Sequence, residues 1–144
     1  MDVASIVVEK WHISTLDDLV NESGPIESCA ILLGRREDSH FLLQEVVPTQ
    51  NKESSIASFA IDEERLLEIY KIAEKKGLSV IGVFHSHPSD PIPSETDKVY
   101  MQINPVPWII RSTTTNEMRC FVYGERKKDN TNGPIEEIRI QIKG

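Results

Sequence analysis

The sequence predicts an α+β fold, a mixed α/β arrangement in a single domain covering residues 1–144. Three observations predict it. Residues 28–34 (SCAILLG) and 79–84 (SVIGVF) are short and almost wholly apolar, as strands buried on both faces are. Between them, residues 62–76 carry apolar positions at helical spacing. After them, residues 107–113, 117–123 and 135–142 read as a run of strands that meanders.

The elements follow in order. Residues 2–9 alternate weakly and predict a first strand. Ser14-Thr15-Leu16-Asp17 has the form of a capping box, so a short helix should open there and close at Gly24. The strand at 28–34 is followed by another at 39–47, which Pro48 should end. Residues 48–58 (PTQNKESSIAS) are polar and read as a loop. Asp62 caps a helix to Lys76, with Gly77 as its stop and Leu66, Ile69, Tyr70 and Ala73 as its buried face. After the 79–84 strand, residues 85–93 hold three prolines and predict a loop. Ser94 opens a third helix that ends before Pro105. In the last strand Ile138, Ile140 and Ile142 alternate with polar residues, and residues 125–134 (ERKKDNTNGP) form a solvated tip.

Bulk properties exclude several classes. A chain of 144 residues can bury a core without disulfide staples. Its formal net charge of −7 argues against a nucleic-acid surface, which needs a basic face, and fits a partner with a basic one. Cys29 and Cys120 form no CxxC pair, so they read as reduced, buried apolar fillers. No signal-like start and no membrane-length apolar run is present, which predicts a cytoplasmic protein. Without a secretion signal, the sequon at Asn21-Glu22-Ser23 carries no meaning.

One stretch carries chemistry. Gly82-Val83-Phe84-His85-Ser86-His87-Pro88 ends an apolar strand in two histidines at i and i+2, so both imidazoles should point the same way. Ser94-Glu95-Thr96-Asp97 follows at a helix start and adds a carboxylate. Two imidazoles and one carboxylate are three ligands for zinc, with the fourth position left for water, as in catalytic sites. Each piece has a plainer reading. Alone, His85 and His87 could be exposed and idle, and Ser94-x-x-Asp97 is also a capping box. Their co-occurrence shifts the balance, because two of the four histidines stand beside this carboxylate. Such chemistry also needs a proton acceptor. Glu27, just before the apolar strand, is the candidate, although by composition alone Gly24 and Pro25 before it favour an exposed loop carboxylate.

Taken together, Glu27, His85-Ser86-His87-Pro88 and Ser94-Glu95-Thr96-Asp97 resemble the signature of the JAMM/MPN-plus family of zinc metallopeptidases. The flanks agree: Pro25-Ile26-Glu27-Ser28-Cys29 before a Leu-Leu-Gly strand, Asn51, Phe59 and Ile61 before the central helix, and Pro107-Trp108-Ile109-Ile110 after the third. The resemblance spans roughly residues 14–124. The loop between His87 and Ser94 is one residue shorter than in many members, and Ala30 stands where many have glycine.

The resemblance implies a curved mixed β-sheet flanked by helices, in layers like those of cytidine deaminases. It implies Zn2+ held by His85, His87 and Asp97, Glu27 as general base, and Ser94 as a donor to the tetrahedral oxyanion. It further implies an isopeptidase acting on a ubiquitin-like protein, or its conjugate, through an extended Gly-Gly tail, with residues 48–58 beside the groove. A narrow approach to the metal would favour glycine before the cut. The oligomeric state stays open, a homo-oligomer included; neither nucleic acid nor membrane is expected. The rival is a non-catalytic or partner-activated scaffold of the same fold, but such domains usually lose the ligands that are kept here. A cupin also uses HxH, yet needs later histidine ligands, and none follows His87.

Overall fold

The structure is a computed structural model, and it describes residues 3–24, 26–49, 62–124 and 134–144. Chain order is β1 (Ser5–Glu9), α1 (Lys10–Ser23), β2 (Cys29–Glu37), β3 (His40–Thr49), α2 (Glu63–Lys75), β4 (Ser79–His87), α3 (Glu95–Ile103), β5 (Trp108–Ser112), β6 (Met118–Tyr123) and β7 (Ile135–Lys143). The fold is α+β, as expected. The curvature of the mixed sheet carries it to closure: the strands form a barrel in the order β1-β3-β2-β4-β5-β6-β7. The β1–β3, β1–β7 and β4–β5 pairs are parallel and the rest antiparallel.

The sheet divides its side chains between two cores. Ala30, Leu32, Ile81, Phe84 and Ile109 pack with Leu16 and Val20 of α1. Cys29, Ile31, Leu33, Val83 and Ile110 pack with Ile69 and Ala73 of α2 and Met101 of α3. Strict alternation assigns these sets, with one break. In the β2–β4 ladder Leu32 pairs with Gly82 but Leu33 with Val80, so Ile81 is an extra residue, a β-bulge. Ile81 therefore turns to the α1 core, and Val83, two residues on, faces the α2/α3 core. The bulged side chain fits because residue 34 is glycine. A Cβ there would stand 2.8 Å from Ile81 Cδ1 and 2.0 Å from the Leu42 carbonyl oxygen.

A second bulge lies at Gln44, since Leu33 pairs with Glu45 and Gly34 with Leu43. Its carbonyl accepts a hydrogen bond from Nε2 of His12 at 3.1 Å, while His12 Nδ1 accepts the Glu9 N–H at 2.9 Å. That second bond fastens the start of α1, which corrects the expected opening at Ser14 by about one turn. Thr15 is an interior residue bonded back to the Trp11 carbonyl, and Gly24 ends the helix at φ 62°.

Other boundaries also move. Pro48 lies inside β3, paired with Ala30, rather than ending the strand. β1 covers only His40–Leu42 on the other side of β3, so a residue without an N–H is tolerated further along. β4 runs through His87, so the expected loop begins only after the second histidine. Helix α2 buries Ile69 and Ala73 but leaves Tyr70 47% exposed, a narrower stripe than the spacing suggested. Ile138 is buried, and Ile142 is exposed beyond it. Most of the loops expected at 48–58 and 125–134 lies outside the described residues.

Candidate active site

The antiparallel register of β2 and β4 sets the site. Its last ladder pair is Cys29 with His85. Because the Ile81 bulge has shifted the alternation, His85 and His87 share the α2/α3 face with Val83, and their rings lie 5.4 Å apart. Glu27, two residues before Cys29, takes the same side. The start of α3 supplies Asp97 opposite them. His85, Glu27 and Asp97 are each no more than 3% exposed.

The contacts are close. Nε2 of His85 is 3.2 Å from Asp97 Oδ1, and Nε2 of His87 is 3.6 Å from Asp97 Oδ2. On the far side of its ring, His85 Nδ1 donates to the Ser86 carbonyl at 3.0 Å and lies 3.4 Å from Glu27 Oε1. His87 Nδ1 meets Ser89 Oγ at 3.2 Å. Both imidazoles thus turn Nε2 toward one carboxylate and engage Nδ1 elsewhere, a choice the sequence leaves open. Trp108 packs edge-on at 6.1 Å from the His85 ring.

The electrostatics follow from this crowding. Burial alone would lower the His85 pKa, but hydrogen bonds and charge from Asp97 and Glu27 override it and push it up to about 9. Burial would likewise raise Asp97. The facing His85 and the Ser94 N–H override it, so the carboxyl sits below its usual value. Two carboxylates are thus buried together, and they need compensating positive charge.

Ser94 is the N-cap of α3. Its hydroxyl accepts the Asp97 N–H at 3.1 Å, and its own N–H donates to Asp97 Oδ2 at 2.8 Å. The capping box and the facing of Asp97 toward the histidines are therefore one arrangement, not rivals. Accepting the Asp97 N–H still leaves the Ser94 hydroxyl proton to donate elsewhere.

Cys29 lies on the site's face, but burial keeps its pKa raised despite the Thr49 hydroxyl at 3.0 Å. Cys120 is buried in the α1 core, and burial pushes its thiol far up as well. Neither is part of a disulfide.

Several supporting residues escaped the sequence reading. The turn between β5 and β6 holds the end of β4: the Thr113 N–H donates to the His87 carbonyl at 2.8 Å, and the Thr114 hydroxyl to the Pro88 carbonyl at 2.7 Å. Buried Ser112 shapes that turn by accepting the N–H groups of Thr114 and Thr115. Ser28 and Ser86 bond to each other on the opposite side of the two strands. Only the register of a folded sheet brings these residues together, and no local spacing signals it.

The donor set suits a divalent cation. Among the described residues no three or more His, Cys, Asp or Glu side chains form a ready metal site, and His85 and His87 each face Asp97. Their chemistry still fits. Since Nδ1–H of His85 is donated to a carbonyl, Nε2 is the nitrogen turned to Asp97, and a bound cation would take the place of the proton shared there.

The model of prokaryotic homologs of the JAB domain matches residues 10–123. A Pyrococcus furiosus protein named desampylase is 27% identical over 140 residues, covering 96% of this chain and 91% of that one. A Thermus thermophilus protein, named a probable TtuB-protein conjugate cleaving protease, is 32% identical over 103 residues, which span 70% of this chain and 64% of that one. The solution structure of a Desulfitobacterium hafniense protein superposes with a TM-score of 0.80 at 27% identity, covering 96% and 92% of the two chains.

Proposed function

Since the chain belongs to the family of prokaryotic homologs of the JAB domain, we propose that it is a zinc-dependent peptidase or isopeptidase. Its substrate is a ubiquitin-like modifier or sulfur-carrier-like protein, cut after an extended Gly-Gly tail. The observation that carries the reading is the buried meeting of His85, His87, Asp97 and Glu27 at the end of the β2–β4 ladder. The names of the two relatives support the reaction and the substrate class.

His85, His87 and Asp97 would hold the ion. A bound zinc would supply Lewis acidity there, so that water could lose a proton near neutral pH. Glu27 accepts that proton and delivers it to the leaving amine, a role typically worth about 10²–10⁴-fold in rate. Burial keeps its carboxylate away from bulk water. Ser94 donates its hydroxyl proton to the developing oxyanion from the N-terminus of α3, which favours negative charge. The backbone bonds from Thr113 keep His87 in place while substrate enters. Glycine before the cut lets the tail's backbone approach closely.

The test uses a ubiquitin-like protein fused to a reporter through Gly-Gly, Ala-Gly or Gly-Ala, with and without a chelator. The Gly-Gly fusion should be cleaved fastest, and the chelator should stop it until zinc is restored. Equal cleavage of all three would remove the narrow approach. A zinc-loaded protein that cleaves none would favour the scaffold reading.

A further inference from the structure

We propose that Ser86 is a positioning residue of this site: its hydroxyl takes its own carbonyl's place in the last rung between β2 and β4, which frees that carbonyl to orient His85 and fastens Glu27 beside it. This rests on the site described above.

The argument begins with register. Cys29 pairs with His85, Ala30 with Phe84 and Ile31 with Val83. The next rung therefore joins Ser28 to Ser86. Half of it is ordinary, since the Ser86 N–H donates to the Ser28 carbonyl at 3.0 Å. The other half is not. The Ser28 N–H donates to the Ser86 hydroxyl oxygen at 2.9 Å, where an unbroken ladder would use the Ser86 carbonyl. That carbonyl accepts Nδ1–H of His85 at 3.0 Å instead. The Ser28 hydroxyl adds a third link, donating to Ser86 Oγ at 3.1 Å. Both serines are buried, at 4% and 2% exposure, so water cannot readily stand in for either.

The exchange has two consequences. A fixed Nδ1–H settles the tautomer of His85 and leaves Nε2 to face Asp97. Glu27 stands outside the strand, beyond the last ladder pair, and these serine bonds tie its neighbour Ser28 to β4. Without the hydroxyl, the Ser28 N–H and the His85 Nδ1–H must share one carbonyl, and the geometry that suits the strand rung differs from the one that orients the ring.

The experiment compares wild type, Ser86→Ala, Ser86→Thr and Glu27→Gln, by crystal structure, zinc content and cleavage of the Gly-Gly fusion at saturating zinc. In Ser86→Ala we expect the Ser28 N–H to move to the carbonyl of residue 86, and the Glu27 Oε1–His85 Nδ1 separation to leave its 3.4 Å value. We expect kcat to fall about 10–100-fold, the range typical of groups that orient a metal's ligands, with KM little changed. Ser86→Thr keeps the hydroxyl and should restore both geometry and rate. An alanine variant with the His85 and Glu27 contacts in place overturns the proposal, whatever the activity. So does a threonine variant as impaired as the alanine one. An inert wild type, or a fully active Glu27→Gln, defeats the proposed reaction instead and leaves the crystallographic comparison to decide the role of Ser86.

Discussion

His12 and His85 are both wholly buried, at 0% exposure, yet they do different things. His12 meets backbone on both sides: Nδ1 accepts the Glu9 N–H, and Nε2 donates to the Gln44 carbonyl. Each ring nitrogen has one neutral partner, and the histidine behaves as a wedge between α1 and a bulge in β3. His85 meets carboxylates on both sides, with Asp97 at Nε2 and Glu27 near Nδ1. Burial therefore does not mark a functional histidine. What sets His85 apart is the ionisable character of its partners, since charged neighbours push its pKa up to about 9 against the cost of burial.

Substitutions can break or sharpen this contrast. The largest effect should come from Asp97→Ala, which removes the group both imidazoles face. Bound zinc, measured by metal analysis, should fall to a small fraction, and cleavage should fall to background. The loss of a cap interaction costs the fold about 1 kcal/mol, so the melting transition should persist. Full zinc occupancy in this variant would leave Asp97 as a capping residue only.

Glu27→Gln comes next. It keeps shape and burial but cannot accept a proton, so kcat should drop about 10²–10⁴-fold with zinc retained. Activity close to wild type would require another base.

His12→Ala should reverse the pattern. Denaturant unfolding should show a loss of about 2–4 kcal/mol, since an N–H and a carbonyl lose their partners inside the protein. Zinc content and kcat should stay near wild type. A selective loss of zinc would mean that the two histidines are coupled and the contrast is false.

The smallest effect is expected for Cys29→Ser. Its thiol shares the site's face but bonds Thr49, so activity should persist with at most a modest loss of stability. Inactivation with zinc retained would assign Cys29 a chemical role.

The same contrast explains what could be read in advance. His85, His87, Ser94 and Asp97 were visible because their spacing is local: two residues apart on a strand, three apart on a helix start. Glu27 was not visible from spacing. The need for a proton acceptor and its place before an apolar strand made it a candidate, but its meeting with His85 depends on pairing between distant strands. His12 was missed for a related reason. A histidine that fastens a helix start by accepting a backbone N–H falls outside the usual serine, threonine and aspartate caps, and the bulge it serves at Gln44 exists only in the folded sheet. Pro48 misled because proline ends a strand only where its N–H is needed, and β1 does not cover that stretch of β3. The barrel's closure through β1 and β7 rests on a parallel pairing of the first and last strands, which no stretch of either announces.

The Ile81 bulge acts on β4 much as a frameshift acts on a message. Every side chain downstream is read onto the opposite face, although no letter of the downstream sequence has changed. Removing one residue from Val80–Gly82 would leave His85-Ser86-His87 intact as text, but would aim both imidazoles into the core under α1 and away from Asp97. A chain can thus keep every residue of the signature and lose the site. In a comparison of sequences, the distance within β4 from the Ile81 bulge, which Gly34 receives, to His85 should tolerate insertions and deletions less well than the signature's own loop between His87 and Ser94.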